Sequence, residues 1–461
     1  MRNGKSRVMY FIYSLLLGLG FLILLPRFLF DAFRHGKYVA GFRERLGKLA
    51  PLDTSGQPVI WVHCVSVGEA QAAVPLVQGL RQKFPSHAIA ISTITLTGQN
   101  LARKIFKGQA ARVFYFPFDW RFVARRTLKA INPAIVLLME TELWPGFLRE
   151  CESQQIPTVI VNGRLSERSF RRYRRITRLM SRVLRSISLA VMQTEADAAR
   201  LKHLGMDAAR THVSGNMKFD AGTVPLNDSL SAEFRRRFKL TGDTPLILAA
   251  STHAPEEEIL LNALRQLSAG AAPKPRLMIA PRHPERFSEV ADLLKAAGLQ
   301  WTRRTAAAAA TDAETEVVLL DSIGELKSAY SLASIVFVGG SIANTGGHNI
   351  LEPAAVGAAV ITGPHTYNFK LVVETFVDAD AIIQLQSSSN AAAATELAQV
   401  LSELLSNPGR QHELGNRAQT LVSQNRGATE RTLDLLGSLL PTTGIPVRHV
   451  VPLGVPNAPI T

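Results

Sequence analysis

The chain has 461 residues, 46% hydrophobic and 19% charged, which excludes a disordered polypeptide and exceeds what one hydrophobic core usually serves. Lys and Arg number 52 against 37 Asp and Glu, and the formal net charge of +15 indicates a polyanionic partner, either nucleic acid or an acidic membrane. Cys64 and Cys151 lack a metal-binding spacing, so we expect two reduced, buried thiols rather than a zinc site or a disulfide scaffold.

The N-terminus contains an apolar run, residues 8–25, without a charged side chain. Its length is near the lower limit for crossing a hydrocarbon core of about 30 Å. A signal peptide requires a small-residue cleavage site after its apolar region, and none follows this run. A helix of the soluble body would have a polar face, and this run has none. We therefore predict a membrane anchor over residues 8–30.

Basic residues on the two sides of this run predict its orientation. The side that follows the run is the more basic one, with Arg27, Arg34, Lys37, Arg43, Arg45 and Lys48. The positive-inside bias places that side and the main body in the cytoplasm, at the membrane surface, whether the anchor spans the bilayer or inserts only shallowly.

Beyond residue 58, short apolar runs alternate with amphipathic stretches, which indicates parallel sheets covered by helices on both faces. In the first half the apolar runs lie at residues 58–67, 87–93, 112–119, 134–142 and 158–166. In the second half they lie at residues 245–252, 276–283, 316–322, 334–341 and 358–365. Ligands of such sheets bind at the carboxyl ends of the strands.

This pattern predicts two α/β domains, over residues 40–222 and 235–432. A polar segment that begins at Ala221 is expected to link them, and the low-complexity stretch Thr305–Thr311 is expected to be a loop. The Pro-rich residues 441–461 are expected to form a flexible tail without a catalytic role.

Carboxylates follow two strands of the first half. Glu69 opens a helix after the first strand, where it could accept a proton from a substrate hydroxyl or merely stabilise the helix dipole. Glu140 and Glu142 follow the run at 134–139 beside Trp144, which either packs against a sugar face or fills the core. Acids at helix starts are common, so one of this pair is expected to be structural.

Nine arginines occupy residues 164–185 with almost no acidic partner. On a single helix five of them form one stripe, at positions 171, 175, 178, 182 and 185. Four apolar side chains form another stripe: Ile176, Leu179, Val183 and Ile187. The pattern predicts a basic amphipathic helix that contacts anionic lipid head groups.

A glycine-rich segment, residues 339–347, follows a strand of the second half. Its backbone N–H groups and the start of the next helix predict a phosphate site. Asn349 and Glu352 could instead form only a helix cap, which does not explain the glycine cluster. Arg282 and His283 follow another strand and could pair with phosphate or carboxylate. The chain has no GxxxxGK[ST] loop and no early GxGxxG, which disfavours a P-loop nucleotidase and a dinucleotide dehydrogenase.

At these positions the sequence resembles the 3-deoxy-D-manno-octulosonic acid (Kdo) transferase family. The matching motifs appear in family order: HCVSVGEAQAAVPL, METELWP, NGRLSERS, QTEADAARLKHLG, GNMKFD, ASTHAPEEE, APRHPERF, DSIGELKSAYSLA and FVGGSIANTGGHNILEPAAVGAAVITGPHTYNF. The resemblance implies an α/β fold of the GT-B glycosyltransferase class, two Rossmann-like domains around a cleft, with an N-terminal membrane anchor helix. It implies CMP-Kdo as donor, a lipid A precursor (lipid IVA) as acceptor, and a place in lipopolysaccharide core biosynthesis at the inner membrane.

The resemblance also implies residue roles. Glu69 is the expected general base of an inverting transfer, and Glu140, Glu142 and Arg164 are expected on the acceptor side. The expected donor-binding residues are Lys218, Arg282, His283, Gly340, Ser341, Gly346, Gly347, His348, Asn349 and Glu352. Among them, Arg282 would bind phosphate or the Kdo carboxylate, the glycine loop would cradle phosphate, and Glu352 would bond the ribose. No metal and no cofactor are expected.

Other functions stay open. A different membrane-associated GT-B transferase, with another nucleotide sugar, is the first alternative, and a non-catalytic lipid-binding or scaffold protein is the second. A nucleic-acid binder is least favoured, because the basic residues are not interleaved with aromatic ones and an apolar segment is present. The expected partners are therefore CMP-Kdo, the lipid A precursor and anionic inner-membrane lipids.

Overall fold

The computed structural model describes residues 41–222, 228–240, 244–267, 275–387 and 389–440, together with residues 13–15, 17–20 and 23. The chain forms two compact units. One comprises Met1–Asp220 and Gly427–Thr461, and the other comprises Ala221–Arg426. The first boundary coincides with the start of the predicted linker.

The first unit is built on a seven-stranded parallel sheet. Its strands are β1 (Val59–His63), β2 (Ala88–Thr93), β3 (Arg112–Tyr115), β4 (Pro133–Met139), β5 (Thr158–Gly163), β6 (Leu189–Met192) and β7 (Thr211–Val213). Their order in the sheet is β3-β2-β1-β4-β5-β6-β7. The winding direction therefore reverses between β1 and β4, and the carboxyl ends of these two strands are the usual ligand position in such a sheet.

Helices connect the strands of the first unit. The α-helices are Phe42–Arg45, Val67–Ala72, Val74–Lys83, Leu96–Ile105, Arg121–Ile131, Pro145–Ser153, Glu167–Arg174, Thr177–Arg185, Glu195–His203 and Ala428–Gly437. Two 3₁₀ helices are Ala208–Arg210 and Met217–Gly222. Alternate residues of β1 belong to different apolar cores, Val59 and Trp61 to one, Ile60 and Val62 to the other. Both faces of the sheet are therefore covered, as the alternating pattern predicts.

The second unit is built on another seven-stranded parallel sheet. Its strands are β8 (Leu246–Thr252), β9 (Arg276–Pro281), β10 (Trp301–Arg303), β11 (Val317–Leu319), β12 (Ile335–Val338), β13 (Ala359–Thr362) and β14 (Ile383–Gln384). The order is β10-β11-β9-β8-β12-β13-β14, so the winding reverses between β8 and β12. Loops that follow these two strands therefore meet at one edge of the sheet.

The helices of the second unit cover this sheet. The α-helices are Asp228–Arg237, Glu256–Leu267, Phe287–Ala296, Leu326–Tyr330, Leu351–Ala355, Lys370–Asp378, Asn390–Ser406 and Pro408–Asn425. Two 3₁₀ helices are Pro284–Arg286 and Ala310–Glu314. The predicted loop Thr305–Thr311 is irregular up to the start of the second of these, as expected.

The last helix, Ala428–Gly437, belongs to the first unit and corrects the predicted domain over residues 235–432. Leu433, Leu436 and Leu440 are buried in the same core as Ile60 and Val62 of β1. The carboxylate of Asp220 accepts the N–H groups of Gly427 at 2.8 Å and Thr429 at 2.7 Å, and so caps the helix. The sequence pattern did not show that the chain returns to the core of the first unit after Gly427.

The arginine run forms two helices rather than the single one predicted. The first ends at Arg174, and the second begins at Thr177, because Ile176 has a φ of −121°. The hydroxyl of Thr177 donates to the carbonyl of Arg174 at 2.7 Å across the break. Ile176 is 46% exposed and so does not share the buried position of Val183.

The predicted anchor and tail lie largely outside the described residues. Of residues 8–30, the structure describes 13–15, 17–20 and 23, all helical, and it describes none of residues 441–461. In the part of the chain that the structure describes, no helix has both the length and the apolar character needed to cross a membrane. Tyr13 donates its hydroxyl to the Asp119 carboxylate at 2.7 Å.

Candidate functional site

Glu69 lies in the first turn of the helix after β1 and is 6% exposed. Its carboxylate accepts hydrogen bonds from the backbone N–H of Val65 at 2.8 Å and from the hydroxyl of Ser66 at 3.0 Å. Both bonds run back across the turn between strand and helix. They hold the carboxylate at the carboxyl end of β1, beside β4, where the sheet reverses its winding.

Burial raises the pKa of Glu69 to about 8, and the negative charge of Glu140 adds to the rise. The N–H of Val65 and the hydroxyl of Ser66 oppose it by stabilising the ionised carboxylate, and Glu142 contributes further repulsion. A carboxyl group that titrates near neutral pH is suited to general acid–base chemistry.

Glu140 and Glu142 lie in the loop that follows β4. Glu140 has a φ of 54°, a left-handed conformation that costs free energy in a residue with a side chain. Burial raises the pKa of Glu142, and the charge of Glu140 raises it further. Like charges therefore accumulate at this edge of the sheet.

Arg164 is joined to the same loop through its backbone. Its carbonyl accepts the hydroxyl of Thr141 at 2.6 Å, and its N–H donates to that hydroxyl oxygen at 3.1 Å. These bonds tie the loop after β5 to the loop after β4. The structure thus brings the predicted residues Glu69, Glu140, Glu142 and Arg164 to the carboxyl ends of three adjacent strands.

Two polar rings near this edge belong to the core. His63 is fully buried, its ring stacks on Phe116 with centroids 3.8 Å apart, and burial lowers the pKa of His63 to about 3. Trp144 packs beside the same Phe116 at 5.6 Å, in an apolar cluster of the first unit. Of the two interpretations of Trp144, the structure favours core filling. Cys64 and Cys151 are buried free thiols, as predicted.

The second unit holds a buried carboxylate inside its glycine-rich loop. Glu256 is 0% exposed and begins the helix after β8. It accepts the backbone N–H groups of four consecutive loop residues: Gly340 at 2.8 Å, Ser341 at 2.9 Å, Ile342 at 2.9 Å and Ala343 at 3.2 Å. It also accepts the N–H of His253 at 2.9 Å. This carboxylate occupies the donors that the sequence suggested for phosphate.

Gly340 and Ser341 therefore differ from their predicted role as direct phosphate ligands. Their N–H groups donate to Glu256, because a buried carboxylate is stable only where donors surround it. The hydroxyl of Ser341 is also engaged: it donates to the carbonyl of Val338 at 2.7 Å and accepts the N–H of Gly363 at 2.8 Å. Both residues shape the loop.

Glu256 was assigned no role from the sequence, although its position on the apolar face of a helix indicated a buried acid. Glu256 and Glu257 precede Leu260 by four and three residues and so share its buried helix face. Buried acids require donors or cations. Glu257 pairs with Arg286 at 2.6 Å and accepts the hydroxyl of Thr252 at 2.7 Å.

Three histidines lie at the edge formed by β8 and β12. The Nε2 atoms of His253 and His348 are 2.9 Å apart, and the ring of His283 lies at 81° to that of His253, with centroids 5.1 Å apart. Arg282 is exposed and makes no ion pair within the residues described. The structure thus brings Arg282, His283 and His348 together and adds His253, which sequence reasoning missed. No three His, Cys, Asp or Glu side chains among the described residues form a group that could hold a metal.

The remaining donor candidates form a braced turn and a helix start. Gly346 and Gly347 have φ values of 98° and 72°, and Gly347 donates its N–H to the carbonyl of Gly340 at 2.8 Å. Asn349 accepts the N–H of Leu351 at 3.1 Å, but the N-cap residue of this helix is Ile350, and no side chain among the described residues caps the helix.

Glu352 and Lys218 occupy different surroundings. Burial raises the pKa of Glu352, whereas Lys327, 3.9 Å away, and the amide of Asn349, 3.4 Å away, lower it. Lys218 lies in the 3₁₀ helix Met217–Gly222 and belongs to the first unit, unlike the other predicted donor ligands.

Known proteins are similar to this chain in sequence and in fold. A family model described as "3-Deoxy-D-manno-octulosonic-acid transferase (kdotransferase)" matches residues 40–221. The 3-deoxy-D-manno-octulosonic acid transferase of Haemophilus influenzae is 37% identical over 401 residues, 87% of this chain and 91% of that protein. Its counterpart in Bordetella pertussis is 34% identical over 401 residues, 85% of this chain and 89% of that protein.

One solved structure has the same fold at low identity. The UDP-GlcNAc 2-epimerase of Neisseria meningitidis bound to UDP-GlcNAc superposes with a TM-score of 0.50, at 15% identity, over 82% of this chain and 99% of that one. The likeness concerns the fold alone. Together with the two doubly wound sheets, it confirms the predicted α/β fold of two Rossmann-like domains, the GT-B class.

Proposed function

The chain belongs to the 3-deoxy-D-manno-octulosonic acid (Kdo) transferase family of glycosyltransferases, and on this premise we propose that it transfers Kdo from CMP-Kdo to lipid IVA, with Glu69 as general base. The reaction belongs to the assembly of the lipopolysaccharide core. Transfer inverts the anomeric centre, because one displacement step suffices when a base activates the acceptor.

The observation that carries the proposal is the state of Glu69. Its carboxyl group is buried, has a pKa of about 8, and is held by two hydrogen bonds at the carboxyl end of β1. A base must be positioned before it can act, and its pKa must lie near the working pH. Glu69 meets both conditions.

In the proposed step the ionised Glu69 accepts the proton of an acceptor hydroxyl as that oxygen attacks the anomeric carbon of Kdo. The bond between this carbon and the phosphate oxygen breaks, and CMP leaves with the bonding electron pair. Glu140 and Glu142 surround the base with negative charge and so raise its affinity for the proton. Loss of water around Glu69 on acceptor binding would strengthen that effect.

The donor side lies in the second unit. Arg282 is exposed beside His283 and His348 and offers its guanidinium to the phosphate or to the Kdo carboxylate. Glu352, half-buried at a helix start, offers oxygen atoms to the ribose hydroxyls. The guanidinium of Arg282 holds the charge of the departing phosphate, and we propose that transfer proceeds without a metal ion. Activity that disappears in EDTA and returns with a divalent cation would contradict this point.

We also propose that the protein acts at the cytoplasmic face of the inner membrane. The apolar residues 8–25 would anchor it, and the two arginine helices would contact anionic head groups. One surface recess is lined by Glu167, Arg168, Arg171, Arg172 and Arg175, and its four guanidinium groups outnumber the one carboxylate, which supports binding of anionic head groups.

Transfer from CMP-Kdo to purified tetraacyl lipid A precursor tests the activity. We expect product with the wild type and near-complete loss with Glu69→Gln, at unchanged affinity for CMP. Glu195→Gln is the matched control, since Glu195 is also an acid in the first turn of a helix after a strand, but is exposed. Equal activity of the two variants would remove Glu69 from the mechanism and keep the transferase activity.

The donor is tested separately by competition. CMP should inhibit transfer at lower concentration than UDP, and the reverse order would favour the alternative of a transferase with another nucleotide sugar. A folded wild type that makes no product with CMP-Kdo would overturn the proposed donor and acceptor pair.

Flotation with vesicles tests the membrane surface. The charge reversal Arg171→Glu/Arg175→Glu should weaken binding to anionic vesicles by about tenfold or more, since each basic residue near such a surface contributes about 1 kcal/mol. Lys104→Glu/Lys107→Glu is the control, because these residues are exposed in the same unit outside the arginine run. Equal weakening by both pairs would indicate a general charge effect and no specific contact.

A further inference from the structure

The imidazole rings of His253 and His348 face each other across the edge formed by β8 and β12. Their Nε2 atoms are 2.9 Å apart and the ring planes differ by 7°. Two ring nitrogens at this distance need one proton between them, because two lone pairs or two N–H groups would repel. One ring therefore donates through Nε2 and the other accepts. Burial disfavours charge on both rings, so the pair as a whole is neutral.

Charged groups of both signs lie around this pair. Glu256 accepts the backbone N–H of His253 at 2.9 Å, and Glu285 lies 3.7 Å from His283. Burial lowers the pKa of His253, and His283, Arg286 and Arg282 lower it further, whereas Glu257 alone raises it. Glu257 is itself bound by Arg286 at 2.6 Å, so its charge is largely offset. Burial, followed by His253, Arg282 and His283, lowers the pKa of His348 to about 4.

An anion bound at this edge would reverse that balance. A phosphate beside Arg282 offsets the cations that disfavour protonation, and it adds a direct attraction for an imidazolium. The pair is close enough to the glycine loop to respond, since a Cβ at Gly340 would lie 2.8 Å from Cδ2 of His348. The loop, Arg282 and the histidine pair thus form one electrostatic unit.

We propose that the His253–His348 pair is a proton acceptor of the donor site: binding of the nucleotide phosphate beside Arg282 favours uptake of a proton from solvent by the pair, up to one per site. This inference rests on the proposed function, in that the donor phosphate binds in the second unit. His253 thereby becomes a donor-site residue.

The added proton has one available position. The ring that donates through Nε2 accepts it at Nδ1 and becomes an imidazolium, and its Nε2–H still donates to the neutral partner ring. That hydrogen bond becomes charge-assisted and stronger. A second proton would leave both rings as donors and break the bond, so the pair takes up one proton at most.

The proton on the histidine pair would stabilise the leaving group of the reaction. The phosphodiester of a CMP-sugar carries one negative charge, whereas the phosphate monoester of CMP carries nearly two near neutral pH. The leaving group therefore gains charge as the sugar departs. An imidazolium of the pair offsets that gain at the edge where it develops.

Calorimetric titration of the full-length protein with CMP tests the proposal. Near pH 7.5 free CMP is almost wholly dianionic, since the second pKa of a phosphate monoester is about 6, so any proton taken up must reach the protein. The observed enthalpy, plotted against the ionisation enthalpy of several buffers, should show uptake of a fraction of one proton. The affinity for CMP should fall as pH rises, by at most tenfold per pH unit. Cytidine, which lacks the phosphate, should bind without uptake.

Variants assign the uptake to the pair. His253→Gln and His348→Gln should each remove most of it, whereas His412→Gln, at an exposed position of the same unit, should leave it unchanged. Wild type that binds CMP without proton uptake would overturn the proposal and leave the proposed donor site standing, as would uptake that survives in both variants. Absence of CMP binding would overturn both. If neither variant folds, the pH dependence of the wild-type affinity decides.

Discussion

The carboxylate of Glu256 accepts the backbone N–H of Gly340 at 2.8 Å, as the first of four such bonds from consecutive residues of one loop. Burial raises the pKa of Glu256, and the N–H groups around it lower it again. A fixed internal anion therefore sets the conformation of the glycine-rich loop before any ligand is present. The loop is preorganised rather than shaped by phosphate.

Glu256→Ala should lower the free energy of unfolding by about 3 kcal/mol or more, because several buried N–H groups lose their acceptor. Glu256→Gln should cost less, since one amide oxygen can replace Oε1, which accepts three of the loop N–H groups. Urea denaturation measures both. Glu258→Ala is the control, as Glu258 is exposed on the same helix, and an equal effect there would contradict the loop function of Glu256.

Gly340→Ala should weaken CMP binding more than tenfold. Gly340 has a φ of 67°, and an added Cβ would lie 2.8 Å from Cδ2 of His348 and 2.6 Å from Oγ1 of Thr345. Gly298→Ala is the matched control, because Gly298 has a φ of 71° in the same unit and nothing within 4 Å of the added atom. Both variants share the backbone strain of about 1 kcal/mol, so the difference in CMP affinity measures the close contacts with Thr345 and His348. Equal affinities would show that these contacts have no effect.

The pH dependence of transfer should report on Glu69. Burial and Glu140 raise the pKa of Glu69 to about 8, so the ionised form that accepts a proton, and with it kcat/KM, should increase as pH rises through about 8. Glu140→Gln removes the larger of the two charge repulsions and should move this midpoint to lower pH. Glu142→Gln should move it less. A midpoint that stays in place in Glu140→Gln, or moves to higher pH, would contradict the coupling.

Leu436→Ala should destabilise the first unit by about 2–5 kcal/mol, the usual cost of truncating a buried leucine. Leu436 is 0% exposed in the core that contains Ile60 and Val62. Leu439→Ala, at a partly buried position that only packs against this core, is the control and should cost less. Thermal or urea unfolding, followed by tryptophan fluorescence to which Trp61, Trp120 and Trp144 of the first unit contribute, measures the difference. Equal losses would show that the helix is not integral to this core.

Local pattern predicted the elements around Glu69 but not the state of its proton. The strand-turn-helix pattern located the carboxylate at a strand end, because strands and helix starts can be recognised from residues that are adjacent in the sequence. The pKa of Glu69 depends on Glu140, which joins it only when β1 and β4 become neighbours in the sheet. The residues around Glu69 in the sequence therefore do not indicate the effect of Glu140 on its pKa.

The same reason explains the residues that sequence reasoning missed. His253 and His348 meet because β8 lies beside β12, and Glu256 fills the loop after β12 for that same reason. The arginine run shows the opposite case. Its periodicity predicted one helix, but Thr177 donates its hydroxyl to the carbonyl of Arg174 and competes with the helical hydrogen-bond pattern at that point.

The return of the chain to the first unit at Gly427 has a consequence for biosynthesis. Residues 221–426 are synthesised before Leu433, Leu436 and Leu440. The second sheet can therefore fold while the core of the first unit still lacks these three leucines. The carboxylate of Asp220 can accept the N–H groups of Gly427 and Thr429 only after the last helix has been synthesised. The part of the molecule that carries Glu69 is therefore begun first and completed last.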